Sequence, residues 1–310
     1  MKEHHPKAGP GTLCKLFGLS RQAYYQSQTR QNDKALKDAV VIDMVKEIRV
    51  KMPRIGALKL HHMLKEDLRA HHISLGRDGL RTLLRDHNLL VKPRKRYYVR
   101  TTDSDHPYHK WDDLLGTISL SGPHQLWVSD ITYLRSTRDG FLYLSLITDS
   151  YSRKIVGHHL SLSLSARGCL SALAKSIAQL PKQNRSTLIH HSDRGIQYCC
   201  DQYVSLLQAE GIGISMTQSG SPYDNALAER INGILKTELG LDAEFPDYGA
   251  ALRAVNNAID TYNRIRPHCS WNMLTPDQVH SRTPNPGHQP INPKQLSMQS
   301  SRKPKSVSLP

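Results

Sequence analysis

The chain is short of acid, of cysteine and of long apolar runs. Its 310 residues carry 27 Asp and Glu against 42 Lys and Arg, a formal net charge of +15 with the histidines neutral. An imbalance of this size favours a polyanionic partner. The five cysteines (Cys14, Cys169, Cys199, Cys200, Cys269) include no CxxC pair and no even framework. That argues against a disulfide scaffold and implies free thiols in a reducing compartment. Histidine is plentiful, with doublets at His61-His62 and His71-His72, but Cys14 is the only cysteine before Cys169. No zinc is therefore expected. No signal peptide is visible, and apolar stretches such as residues 141–147 fall far short of a membrane span. A soluble intracellular protein without a membrane partner is the expectation.

The positive charge is concentrated at the front. Residues 1–110 hold 23 Lys and Arg against 11 Asp and Glu, whereas residues 111–310 hold 19 against 16. This suits an N-terminal part that grips DNA and a later part that acts on it. Leu13, Leu16 and Phe17 have helical spacing, Gly18 can turn the chain, and Ser20 is a good N-cap for Arg21-Gln22-Ala23-Tyr24-Tyr25. Residues 1–35 are expected as a helix-turn-helix-like segment, with Arg21 as a nucleic-acid contact. Over 36–100, Val41/Met44/Val45/Ile48, Leu60/Leu64/Leu68 and Leu80/Leu83/Leu84 mark three helices, broken at Pro53/Gly56 and Ser74/Gly76. Periodicity alone favours an ordinary helical bundle; the surplus charge turns the reading toward a DNA-binding domain. Within it, residues 92–100 hold five basic residues in nine and two tyrosines, and Arg94, Lys95 and Arg96 are expected to cross phosphates. Residues 101–122 read as a polar linker.

From Gln125 short strands replace helices. Residues 126–134 alternate, with Asp130, Val128 and Leu126 on one face. Asp139-Gly140 signals a hairpin to a second strand at 141–149, and a third follows at 154–161. A helix at 166–180, a strand at 187–190, a helix at 202–210, a strand at 212–217 and two further helices read as an α/β domain with a mixed sheet. This core is expected over 123–282. Residues 283–310, rich in Pro, Ser, Asn, Gln and Lys, are expected to be a disordered tail.

Three acids stand out. Asp130 lies mid-strand among Trp127, Val128, Ile131 and Leu134, where an ionised carboxylate is costly unless it is paired or binds a cation. Asp193 follows a strand where Arg194-Gly195 opens a loop, a common ligand position in open α/β sheets and also ordinary turn chemistry. Glu229 follows Asp193 with 35 residues between them. On its helix Leu227, Ile231, Ile234 and Leu235 form an apolar stripe, and Glu229 and Lys236 lie about 20° apart, nearly opposite it. Glu238 falls about 180° from Glu229, so only one of the two can face a common site. Taken singly, Glu229 and Lys236 could merely decorate a solvated face, and Asp130 could form a structural ion pair. Together, three acids around divalent cations with a lysine beside them suit phosphodiester chemistry.

The strings Trp127-Val128-Ser129-Asp130-Ile131-Thr132-Tyr133, His191-Ser192-Asp193-Arg194-Gly195-Ile196-Gln197-Tyr198 and Asn225-Ala226-Leu227-Ala228-Glu229-Arg230-Ile231-Asn232-Gly233-Ile234-Leu235-Lys236 resemble the DDE signatures of an insertion-sequence transposase. The similar subfamily takes its catalytic protein from the second of two overlapping frames and is related to retroviral integrase. Tyr262-Asn263-Arg264-Ile265-Arg266-Pro267-His268 with Thr275-Pro276 resembles its closing motif, and the helices at 40–91 resemble its helix-turn-helix-like domain. The likeness covers most of residues 12–280. It departs at Pro53-Arg54-Ile55-Gly56, and the zinc module of retroviral integrases has no counterpart.

The resemblance implies an RNase H-like mixed five-stranded sheet flanked by helices, preceded by an all-α DNA-binding region. It implies Asp130, Asp193 and Glu229 as catalytic ligands of Mg²⁺, which Mn²⁺ can replace. Lys236 would grip the terminal DNA. The implied reaction is cleavage at transposon ends and strand transfer into target DNA, in the bacterial cytoplasm at the nucleoid, by a homo-oligomer on DNA. A first-frame helix-turn-helix protein, or fusion with it, is a further expected partner. Two other readings compete: an inactive transposase-derived DNA-binding protein, which the intact acids oppose, and an RNase H-type nuclease without strand transfer, which the basic front opposes. A tyrosine or serine recombinase would leave a protein–DNA adduct and survive chelation.

Overall fold

The computed structural model describes residues 9–92, 105–218 and 226–282. The expected DNA contacts Arg94, Lys95 and Arg96, part of the expected linker, the segment before the third acid and the tail at 283–310 lie outside the described residues. Two compact units divide the chain, Met1–Val50 with Ile55–Val91, and Lys51–Arg54 with Lys92–Pro310.

The first unit is all helical: α1 (Pro10–Leu16), α2 (Arg21–Lys51), α3 (Ala57–Met63), α4 (Lys65–Ala70) and α5 (Arg77–Asp86). Gly18 turns the chain at φ 64°, and Ser20 Oγ accepts from Ala23 N at 3.0 Å, the expected cap. The helix that this cap starts does not end within the expected 1–35 segment. Arg21 to Lys51 contains neither Gly nor Pro, so one 31-residue helix runs through the boundary expected at 35/36. Only its second half packs, through Val41, Ile42 and Val45; Leu60, Leu64, Leu68, Leu80 and Leu84 are buried in the other helices of the unit. The breaks fall where Gly56 and Gly76 occupy the N-caps of α3 and α5.

The second unit is built on a mixed sheet in the order β3-β2-β1-β4-β5. The strands β1 (Leu126–Ser136), β2 (Gly140–Asp149) and β3 (Ile155–Ser161) form an antiparallel meander, and β4 (Ile189–Ser192) and β5 (Gly213–Met216) add in parallel. Gly140 takes φ 73° in the first hairpin, and Asp139 accepts from Ser136 Oγ and from Tyr248 N. One carboxylate thus closes the hairpin and starts a distant helix. The sheet has six strands rather than five. The two-residue β6 (Glu244–Phe245) pairs with Arg135 and Ser136 at the end of β1, beyond the reach of short β4.

Between the strands run α6 (Ala166–Gln179), α7 (Ile196–Cys199), α8 (Asp201–Ala209) and α9 (Ala226–Thr237), and after the last strand come α10 (Tyr248–Arg264) and α11 (Pro276–His280). Alternation along β1 divides the core. Trp127 packs with Ile147, Leu173 and Tyr203, while Leu126 and Val128 pack with Ala228 and Val279. The described part of the expected linker belongs to this core as well. Leu115 and Leu120 are buried, and Leu114 N donates to Ser215 Oγ at 2.9 Å. Burying those leucines outweighs the polar texture that made 101–122 read as a linker.

Candidate functional site

Register brings the first two acids together. In the parallel pair β1/β4, Val128 lies opposite His191, and Asp130 and Asp193 each stand two residues further on. Asp193 is half-buried immediately after β4, and its Oδ1 accepts from Gly195 N at 3.0 Å. A Cβ on Gly195 would come within 3.0 Å of that oxygen, so glycine keeps the turn open. Beneath the strands, Ser129 Oγ and Tyr203 Oη converge on His190 Nε2 at 2.6 and 2.9 Å. Burial lowers the His190 pKa to about 3, so this junction between the acid-bearing strands is neutral.

Helix α9 supplies the third acid. Its buried residues are Ala228, Ile231, Asn232 and Leu235, whereas Leu227 and Ile234 are only half-buried. The buried face is therefore rotated from the expected stripe. Glu229 and Lys236 lie about 100° from its middle, flanking it rather than opposing it. Glu229 is exposed, but Lys236 is half-buried with Nζ 4.1 Å from the Tyr133 ring centroid on β1. Burial lowers the Lys236 pKa, and Asp130 acts the other way. Glu238 turns elsewhere, as the helical angle requires. Arg266 Nε and Nη2 donate to its two carboxylate oxygens at 3.0 and 2.9 Å.

The three acids repel one another. Burial raises the Asp130 pKa to about 8, with Asp193 and then Glu229 adding to the rise. Hydrogen bonds to Oδ1 from Ile131 N at 2.9 Å and to Oδ2 from Asn232 Nδ2 at 2.6 Å oppose it. Among the described residues no three His, Cys, Asp or Glu side chains close to a metal-binding cluster. What the site offers a divalent cation is hard oxygen donors whose mutual repulsion the cation would relieve. Arg21, the other described nucleic-acid candidate, is exposed at the start of α2 in the helical unit.

Two contributors escaped sequence reasoning. Asn232 sits three residues after Glu229 on the helical strip that meets β1, a spacing that could have flagged it. The closing motif proves to be a clasp. Asn263 exchanges both of its amide hydrogen bonds with the Ile155 backbone, while Arg266 holds Glu238 just beyond α9.

The sequence and fold were compared with those of known proteins. Integrase core domain families match residues 121–222 and 210–276. An uncharacterized 31 kDa protein of insertion element IS600 from Shigella sonnei is 33% identical over 276 residues, covering 85% of this chain and 96% of that protein. The transposase InsF of insertion sequence IS3A from Escherichia coli K12 is 28% identical over 291 residues, covering 91% and 97%. Among solved structures, the HTLV-2 integrase catalytic core domain in complex with magnesium aligns with 52% of this chain and 99% of its own, at 20% identity and a TM-score of 0.42. The chain belongs to the insertion-element transposases with an integrase core domain.

Proposed function

We propose that this transposase cuts element ends and joins them to target DNA with Asp130, Asp193 and Glu229 as its catalytic acids. The observation that carries this is the β1/β4 register that sets Asp130 and Asp193 each two residues past the Val128–His191 pair, where burial first and then the charges of Asp193 and Glu229 push the Asp130 carboxyl to about 8. The three side chains would hold divalent metal, magnesium by preference, which polarises a scissile phosphate and stabilises attacking and leaving oxygens in line. Asp130 is oriented for this by Ile131 N and Asn232, and Asp193 by the Gly195 turn.

In the first step water adds to the phosphorus at the element end, the bond from that phosphorus to the element's terminal O3′ breaks, and the element is left with a 3′-OH while the flanking strand keeps a 5′-phosphate. In the second, that 3′-OH attacks a target phosphodiester, one P–O bond forming as another breaks. No covalent protein–DNA intermediate is required. Lys236, steadied against Tyr133, supplies a point charge for a terminal phosphate. The helical unit and the basic residues Arg94, Lys95 and Arg96 are proposed to grip the DNA, and the protein is proposed to act as an oligomer on it. End-labelled element DNA incubated with and without EDTA tests the reading. Metal-dependent cleavage and strand-transfer products support it, and products that persist in chelator refute it.

A further inference from the structure

The sheet face that carries α6 is not covered to its end. Gly168, in the first turn of α6, seats on Ser161 and Ser145, where an added Cβ would come within 2.6 and 3.4 Å of their hydroxyl oxygens. The strands run on past that contact. Register sets Tyr133 opposite Tyr143 and Arg135 opposite Phe141, and the two-residue period puts all four side chains on the face that α6 has left. Tyr133 and Tyr143 are half-buried, Arg135 is exposed, and Phe141 is 52% exposed.

Phe141 is not a stray surface ring. Tyr133 meets it edge to face, with centroids 5.5 Å apart and planes at 89°. Lys236 Nζ stands 4.1 Å from the Tyr133 centroid, so Tyr133 is engaged by the ammonium and Phe141 is the ring with surface to spare. This group lies beside the acids. Asn232 and Lys236 are one turn apart on α9, about 6 Å, and touch Asp130 and Tyr133 respectively. Burial disfavours the charge on Lys236, Asp130 and Asp242 favour it, and Arg135 opposes it. Glu244 stands opposite Arg135 in β6 but makes no ion pair with it, and the Asp139 carboxylate is taken by Ser136 Oγ and Tyr248 N. A propped ring between two cations matches a nucleotide, whose base has a π face and whose phosphate is anionic.

We infer that Phe141, propped by Tyr133 and flanked by Lys236 and Arg135, is a stacking shelf for an unpaired base of the DNA held at the acids. This rests on the proposed action on DNA and adds the form of DNA that the site takes. Inside a duplex each base is stacked on its neighbours, so the ring can receive only a base released from pairing. Lys236 holds the phosphate, Phe141 takes the base, and the end of the duplex is kept open beside Asp130.

The test uses the full chain and two duplexes carrying an element end, one fully paired and one with its terminal pairs mismatched. Binding is read without divalent metal, with a fluorescent adenine analogue as the unpaired terminal base. The wild type should bind the mismatched end more tightly and quench the analogue by stacking. Phe141→Ala should weaken binding to the mismatched end about five- to a hundredfold, lose the quenching, and bind the paired end nearly as the wild type does. Phe141→Trp should keep both properties, whereas Phe141→Leu, which retains apolar bulk without a π face, should not. Equal affinity and quenching in the wild type and folded Phe141→Ala, or full function in Phe141→Leu, would overturn the shelf even where the wild type still cuts element ends. A changed oligomeric state in Phe141→Ala with DNA affinity unaltered would overturn it in favour of contact with a second copy. A wild type that binds neither duplex would overturn the shelf and the action on DNA together.

Discussion

Asn232 Nδ2 donates to Asp130 Oδ2 at 2.6 Å, tying the helix of the third acid to the strand of the first. The other amide atom, Oδ1, is buried and has no hydrogen-bond partner among the described residues. The side chain is therefore held by this single contact, and its amide fixes one carboxylate oxygen while leaving further lone pairs available to a metal.

Asn232→Ala should lower cleavage of element ends roughly tenfold or more, the scale of losing a hydrogen bond to a charged group, and raise the metal concentration for half-activity. Asn232→Asp should be worse, because it adds a fourth negative charge. Circular dichroism should show both folded. Wild-type metal dependence in Asn232→Ala would show that the contact does not position Asp130.

The raised Asp130 pKa makes a stability prediction with a definite sign. Between about pH 4, the ordinary value, and about 8 the folded chain holds a proton that the unfolded chain has released. The unfolded state binds fewer protons, so stability falls as pH rises through this window. Thermal melts in EDTA from pH 5 to 8 should drop more for the wild type than for Asp130→Asn. Magnesium should remove much of the difference, binding more tightly as pH rises. Parallel pH profiles for wild type and Asp130→Asn in EDTA would contradict the coupling.

Lys236 is two turns beyond Glu229 and against Tyr133, so it can reach DNA without ligating metal. Lys236→Ala should reduce end-specific processing and strand transfer by about ten- to a hundredfold, the scale of a lost charge-assisted contact. Nonspecific Mn²⁺-supported nicking should be largely retained. If both activities fall equally, Lys236 supports the site's structure instead.

The Arg266–Glu238 pair is nearly sealed, with side-chain exposures of 4% and 14%. Arg266→Ala removes two charge-assisted hydrogen bonds from a mostly buried carboxylate and should cost about 3–5 kcal/mol. Urea unfolding measures this; a loss under about 1 kcal/mol would show that the clasp is incidental.

Much of this architecture could be read from local patterns. Alternation set the faces of β1, Asp139-Gly140 located the hairpin, and a 100° wheel separated Glu229 from Glu238, which the Arg266 contact now explains. What eluded reading depended on partners distant in sequence. Asn232 is polar yet faces the core because Asp130, 102 residues away, receives its amide. Leu115 and Leu120 looked like spacers in a polar stretch until a folded sheet was there to bury them. The strip on α9 shifted because small Ala228 lets the helix seat against Leu126 and Val128, a packing choice that hydrophobicity alone does not encode.

The central claim is that Glu229 completes the catalytic set, and one substitution addresses it. Glu229→Gln preserves size and helix while removing one of the charges that raise the Asp130 pKa. The measurement is cleavage and strand transfer of end-labelled element DNA in magnesium, alongside DNA binding by the same preparation. The account predicts unchanged binding and no detectable cleavage or joining. Wild-type cleavage by Glu229→Gln would contradict it.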